Sequence, residues 1–333
     1  MRSLLVLVAL MLLPSVAGAD ARKDIVELRH GRTRSHQELL GWTADGHAVS
    51  RRLVCSEGGE VTCRASIDEL AVGSPERTTL LWENTESLYE TATPDDPKGP
   101  ISAAEATAFI RAETKALGRL TALSPGERAA DPAAAFGTIG GEPTRIYVRT
   151  SSHPDPDEEP ALRLHVAVKG PRGVSIDLEA LDNMPWHVDG EEVLEASTSP
   201  DGSAVWMAIH YRDGVMCWDG EDIELTIADR GQVRAKLANA VGLRADAAGE
   251  TDEAYARFVE ATAEDPGYAW GWWNRGALES RRGDVTAAAT SLRKAMALDE
   301  SFAERACADD DYTALVDSEL GAELLACGYA EGC

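Results

Sequence analysis

The chain has 333 residues, of which 44% are hydrophobic, and a formal net charge of −25. That length allows two domains, and that apolar share is enough for a packed core, which excludes wholesale disorder. So acidic a surface repels phosphate backbones and anionic headgroups, so no nucleic-acid partner and no electrostatic membrane docking is expected. Cationic partners and divalent ions stay open, beside an acidic surface that merely solvates.

At the N-terminus, Arg2 precedes an unbroken apolar run from Leu4 to Leu13, then Pro14 and the small residues Ala17-Gly18-Ala19. This is the pattern of a secretory signal peptide over residues 1–19, with cleavage expected after Ala19. The run is about half of the ~20 residues a membrane-spanning helix needs. No cysteine stands near the site to take a lipid, and no later stretch is apolar enough to span a bilayer, so no membrane insertion is expected after cleavage. Lysine is scarce, six residues against 32 Lys and Arg together, the usage of a high-GC bacterial genome. The expected destination is the periplasm or the medium.

Six cysteines are present: Cys55, Cys63, Cys217, Cys307, Cys327 and Cys333. An oxidising compartment permits disulfides among them in about 15 connectivities, and no C-x-x-C suggests redox chemistry or a zinc ribbon. Cys55 and Cys63 flank a turn, Ser56 to Glu60, that folds two strands back on each other, so this pair is the first candidate. Small buried thiols are the alternative.

From Ile25 to about Thr85 strands alternate with turns at Ala44-Asp45-Gly46 and Gly58-Gly59, which reads as an antiparallel meander. After a loop rich in Pro and Asp, the capping box Ser102-Ala-Ala-Glu105 opens a helix over about 102–122, ended by Ser124-Pro-Gly126. Its apolar stripe of Ala106, Phe109, Ile110, Ala116, Leu117 and Leu120 is interrupted by Glu113. Strands return at Arg145–Thr150 and at Leu162–Lys169, where Leu162, Leu164, Val166 and Val168 share one face. Gly170-Pro-Arg-Gly173 turns the chain into Val174–Leu178, and further strands are expected at Glu192–Thr198, Ala204–Tyr211 and Ile223–Ile227. The expected fold class is α+β: a β-rich domain over 20–230 with one inserted helix, then an all-α array.

Trp42-Thr-Ala-Asp-Gly-His-Ala-Val49 lines up with Thr198-Ser-Pro-Asp-Gly-Ser-Ala-Val205. A strand, then Ser/Thr-x-Asp-Gly, then an apolar strand resembles the blade signature of TolB-like and WD-repeat β-propellers. The resemblance is short, and Asp-Gly suits any tight turn. Two occurrences fall below the four blades a closed propeller requires.

Beyond Ile227 the composition shifts to Ala, Glu and Arg, and the sequence matches itself at an offset of 34: Gly242 with Gly276, Gly249 with Gly283, Ala254 with Ala288, Phe258 with Leu292, Ala261 with Ala295. With Trp272 and Asn274, these residues resemble the tetratricopeptide repeat, whose period is about 34 residues. The resemblance covers residues 235 to 302; Glu300 stands where a closing Pro is usual, and Arg275 and Glu279 where large apolar residues are usual. It implies two helical pairs over 231–302. Two are fewer than an independent array needs, so a cap is expected over 303–333 from Tyr312, Leu315, Val316, Leu320, Leu324 and Leu325, stapled by Cys307 and Cys327, with the β-domain at the other end.

No nucleophile elbow, phosphate loop or paired-histidine metal motif occurs, Gly137-Thr-Ile-Gly-Gly141 reads only as a Gly-rich turn, and none of the seven His stands at ligand spacing from another. The acidic loop Asp155-Pro-Asp157-Glu158-Glu159 lacks the Gly and distal Glu of an EF-hand. No metal, cofactor or catalytic set is therefore expected. The aromatic cluster Tyr268, Trp270, Trp272 and Trp273 is the functional candidate. Trp272, with Gly276, is assigned to packing; Trp270, Trp273, Ala277 and Arg281 are assigned to a partner-facing groove, exposed Trp and Arg being common hot spots. Packing of these rings on neighbouring elements is the equal alternative. The leading expectation is an envelope interaction or scaffold protein, then a TolB-like ligand- or envelope-binding β-domain, then an enzyme.

Overall fold

The computed structural model describes residues 35–57, 60–74, 76–87, 111–118, 123–152, 162–184, 188–215 and 218–325. The expected cleavage site at Ala19, the acidic loop at 155–159, and Cys217, Cys327 and Cys333 lie outside them. The architecture is α+β, with antiparallel sheets preceding a row of helices. Among the described residues no helix is long and apolar enough to cross a membrane.

Four strands, β1 (Ser35–Trp42), β2 (Ala48–Glu57), β3 (Glu60–Leu70) and β4 (Arg77–Ser87), form an antiparallel meander in sequential order, as expected. Its register sets Cys55 directly opposite Cys63. A second sheet has the order β13–β12–β11–β5: β13 is Trp218–Asp229, β12 Ala204–Val215, β11 Val188–Thr198 and β5 Glu127–Arg128. The hairpins β1–β2 and β11–β12 share a turn of the same chemistry. Gly46 and Gly202 supply positive φ (85° and 76°), while Thr43 Oγ1 and Asp201 Oδ1 accept turn amides. Hydrogen bonds from Ser199 and then Ser203 hold the Asp201 carboxyl down to about 2. The turn's favourable contribution is therefore present at neutral pH and lost as pH falls from the ordinary carboxylate range through that value.

One face of the meander, carrying Trp42, Ala48 and Leu70, packs on Ala204, Trp206, Ala208 and Leu225 of the second sheet. Trp42 is wholly buried, and a Cβ on Gly126 would fall 2.3 Å from its Nε1, so only glycine fits there. The opposite face carries the Glu38–Arg51–Ile67 rung. Residues 111–117, inside the expected inserted helix, are helical (α1). Glu113, which interrupts the helix's apolar stripe, binds Arg51: Nη1 lies 3.3 Å from Glu113 Oε1, and Nη2 is bonded to Glu38. Both Arg51 and Glu113 are buried.

Strands β8 (Arg145–Ser152), β9 (Leu162–Lys169) and β10 (Ser175–Met184) make a three-stranded sheet, and β6 (Thr138–Ile139) with β7 (Glu142–Pro143) a small hairpin. The chain divides into two units, and the helical unit takes Asp229–Cys333 together with 133–147 and 166–178, stretches that sequence analysis assigns to the β-domain. They belong with the helices because they bond to them.

The helices are α2 (Arg230–Ala247), α3 (Thr251–Glu264), α4 (Ala269–Arg281), α5 (Val285–Leu298) and α6 (Phe302–Ala308), followed by the short α7 (Thr313–Val316) and α8 (Glu319–Leu324). The repeat at 34 is kept in the backbone. α3 and α5 begin and end 34 residues apart. Gly249 and Gly283 hold φ of 77° and 78° in the preceding turns. Gly267 donates to Asp265 Oδ1 at 2.8 Å, and Ser301 to Asp299 Oδ1 at 2.9 Å. This last correspondence extends the repeat by a third step, since Phe302 then occupies the place of Tyr268. α6 is thus a first helix whose successor is missing. Gly242 lets α3 approach α2, a Cβ there falling 2.6 Å from the Phe258 ring; Ala254, Ala261, Ala288, Leu292 and Ala295 are all buried, as expected of repeat residues.

Both ends of the row are covered. At the first, Arg234 donates to the Phe136 carbonyl at 2.6 Å, Arg172 pairs with Glu250, and the Gly140 amide reaches Glu260 at 3.4 Å. At the second, Phe302, Ala306, Tyr312, Leu315 and Leu325 join one core with Trp273, Ala288, Ala289, Leu292 and Ala295. Cys307 is disulfide-bonded; its expected partner Cys327 is not among the described residues.

Burial raises the Glu113 carboxyl, against the attraction of Arg51. A raised acid contributes stability that is present below its ordinary range and lost as pH rises through the raised value. The melting temperature of the wild type minus that of Glu113→Gln is therefore expected to fall as pH is raised across that interval, read by thermal denaturation; a difference that widens would contradict the assignment.

Candidate partner-binding surface

The candidate surface is built on α4, where residues three or four apart share a face. Trp273, Ala277, Ser280 and Arg281 form one stripe, as expected. The structure does not leave this stripe open. Trp273 and Ala277 are each 6% exposed and Ser280 is fully buried. What covers them is the chain's own C-terminal segment. The Tyr312 ring stacks on Trp273 with centroids 4.6 Å apart, and its hydroxyl donates to the Trp273 carbonyl at 2.7 Å. The Leu315 amide donates to Ser280 Oγ at 3.3 Å. Burial pushes the Tyr312 phenol up.

The assignment of Trp273 and Ala277 to an open groove is therefore corrected, and so is that of Trp272 to the core. Trp272 is only partly buried at the margin of the cluster, its indole N–H donating to the Pro266 carbonyl at 2.9 Å and the Arg275 guanidinium lying 5.5 Å over its ring. The two neighbours point about 100° apart around the helix, and the C-terminal segment chose Trp273's side. Gly276 serves both sides: a Cβ there would fall 2.6 Å from the Tyr312 hydroxyl and 3.2 Å from Ser291 Cβ.

Two of the four expected residues do reach the surface. Trp270 is 43% exposed, edge-on to Phe302 at 4.9 Å, with the Arg305 guanidinium 5.4 Å over its ring. Arg281 is exposed at the end of the stripe and pairs with Asp246 at 2.6 Å and Asp311 at 3.6 Å. Burial raises the Asp311 carboxyl; Arg281 opposes this, while Asp309, Asp246 and Asp310 add to it. In the first hairpin, Leu243 stands 34 residues before Ala277 and is exposed.

Behind the surface, the two departures from the repeat pattern explain each other. The Glu279 carboxylate is buried and accepts from Arg275 Nε at 2.8 Å, the Tyr255 hydroxyl at 3.2 Å and Ser291 Oγ at 2.7 Å. Sequence reasoning missed Tyr312, Ser280 and Phe302 as surface-forming residues. A third step of 34 would have found Phe302, whereas nothing local marks Tyr312 or Ser280. Among the described residues no group of three His, Cys, Asp or Glu is placed to hold a metal ion.

The chain matches no protein-family model, and no curated protein or solved structure matches it.

Replacing Trp273 with Ala is expected to cost about 3–5 kcal/mol, the range for a buried large aromatic residue. Trp272→Ala is expected to cost about 1 kcal/mol. Equal losses in denaturant melts would refute the placement. Arg275→Met leaves Glu279 buried without its cation and is expected to cost about 3 kcal/mol, the low end for a broken buried pair because two hydroxyl donors remain. Adding Glu279→Leu should recover most of that loss. A double variant no more stable than the single one would show that the pair is not self-contained.

Proposed function

We propose that this chain is an exported envelope protein that works as a protein-interaction or scaffold module, with the helical row as its partner-binding part and the β unit as its body. The carrying observation is that the helical hairpin repeats its turns and boundaries at 34 residues, and a third first helix follows. This is the arrangement that a tetratricopeptide-type array implies, and such arrays present the side chains of their first helices to partners. Leu243, Trp270 and Arg281 supply an exposed apolar and cationic row on α2 and α4. The acidic net charge favours a protein partner over nucleic acid. The signal-peptide pattern ending at Ala19 supports export, and in an oxidising compartment Cys55 and Cys63, opposite each other on β2 and β3, are placed to bond.

A second reading puts the function in the β unit, as a TolB-like ligand- or envelope-binding module. What favours it is a buried polar rung. Ser50 and Asp68 stand opposite each other with no exposure, and Ser50 Oγ and Asp68 Oδ1 make no hydrogen bond, while Asp68 Oδ2 is 3.0 Å from Arg52 Nε and 3.2 Å from Ser66 Oγ. No reaction is assigned to either unit.

The scarcity of lysine makes crosslinking a direct test. Lys236 and Lys294 lie on α2 and α5, and Lys115 on α1 of the β unit. Amine-reactive crosslinking of the exported protein in envelope extract is expected to join a partner through Lys236 or Lys294, with the yield falling for Trp270→Ala while melting is unchanged. Partner crosslinks confined to Lys115 would favour the β unit instead.

A further inference from the structure

We infer that Asp309–Leu315 is a resident ligand of the helical row, seated where a partner peptide binds, and that the partner carries the same recognition chemistry: acidic residues, then an aromatic residue, then an apolar residue three positions on. This rests on the interaction reading above and goes beyond it by naming the occupant and the chemistry.

The segment is held as a bound peptide is held. Residues 310–312 form a single 3₁₀ turn, and the helices after it have four and six residues. Helices that short do not persist on their own in water, so the order of the segment comes from the surface beneath it. Its anchors are few and directional. Tyr312 enters a slot floored by Gly276 and walled by Trp273, bonding a main-chain carbonyl with its hydroxyl. Leu315 is buried, and its amide is fixed by Ser280 Oγ. Asp311 meets Arg281 at the rim.

The slot belongs to the second hairpin alone. Gly276, Ala277 and Ser280 leave room for a ring, whereas the residues 34 positions earlier, Gly242, Leu243 and Asp246, put a large side chain at the middle position. The first hairpin therefore offers no second seat for a tyrosine. The electrostatic contact is also weakly held. Asp246 already occupies Arg281 at 2.6 Å, and Asp311 is its longer contact at 3.6 Å, with Asp309 and Asp310 adding like charge. A partner supplying one better-placed acid and the same ring and apolar anchor would compete with the resident segment at this seat.

The test uses the full chain. In the double variant Tyr312→Ala/Leu315→Ala the resident anchors are removed and the slot is kept. The probe is a fluorescein-labelled synthetic peptide covering Asp309 to Ser318, and binding is read by anisotropy. The double variant is expected to bind it about tenfold or more tighter than the wild type does, and a peptide with Ala in place of its tyrosine to lose about tenfold. In the wild type, the amides of residues 312–318 are expected to exchange hydrogen about tenfold or more faster than those of α4 and α5, as for a locally releasable element. A double variant with native helical circular dichroism that does not bind the peptide overturns the proposal. So does one that loses its helical signal, or a wild type whose segment is as protected as α4, because the segment is then part of the fold and not its ligand. The peptide titration reports on the seat and the crosslinking on the partner, so either fails without the other.

Discussion

A helical hairpin stacked on another leaves an apolar face at each end of the row, and in a row of two these faces outnumber the single shared interface. The helical unit depends on how they are closed. At the first face the chain sends in the β6–β7 hairpin and the turn after β9, held by Arg234, Arg172 and Glu260. At the second it begins a third hairpin, stops after the seven residues of α6, and folds the remainder back over α4 and α5. The glycines of the β6–β7 turn follow from the same need. Gly140 has a φ of 61°, and a Cβ there would fall 2.4 Å from the Arg257 guanidinium, so the turn docks only without a side chain at that point. What reads locally as a flexible Gly-rich turn is a fitted end piece.

Buried charge is the second organising feature, and each instance is paired. Arg275 and Glu279 stand where a repeat of this kind is apolar, one turn apart, and the carboxylate takes three donors in a site that excludes water. Arg51 and Glu113 do the same across 62 residues of sequence. Such pairs add little net stability against an apolar filling, but removing one partner leaves an uncompensated charge in the interior. Their effect is therefore on register. A slip of one residue in β2, or a rotation of α1, would strand a charge, and that penalises the alternatives more than it favours the native pairing.

The sequence made local periodicity legible and left most long-range pairing hidden. The offset of 34 located α2 to α5 and the turns between them, because small residues at Gly242, Gly276, Ala254 and Ala288 are needed wherever two helices approach closely. The Asp-Gly turns at Asp45 and Asp201 were legible for a similar reason, since positive φ and a side-chain acceptor are local demands. The stripe on α4 was correctly grouped and wrongly turned. Spacing alone puts Trp273, Ala277 and Arg281 on one side and Trp272 on another, but which side is covered depends on Tyr312, 39 residues away. The membership of 133–147 and 166–178 in the helical unit was hidden for the same reason, as was the Arg51 partner of Glu113.

Side-chain size along the repeated helix then sets what each half of the surface offers. Because Gly276 and Ala277 follow Trp273 within one turn, α4 presents a ring-wide slot beside an aromatic wall. Because Leu243 fills the equivalent point of α2, that half stays convex, apolar and exposed. Asp246 and Arg281 join the two halves through an ion pair between α2 and α4. The C-terminal segment satisfies the slot and stops there, so Leu243 and Trp270 are left uncovered on either side of it. A row closed at both ends has no structural need for those two side chains to be large and apolar. Their exposure is the part of the surface that folding does not account for.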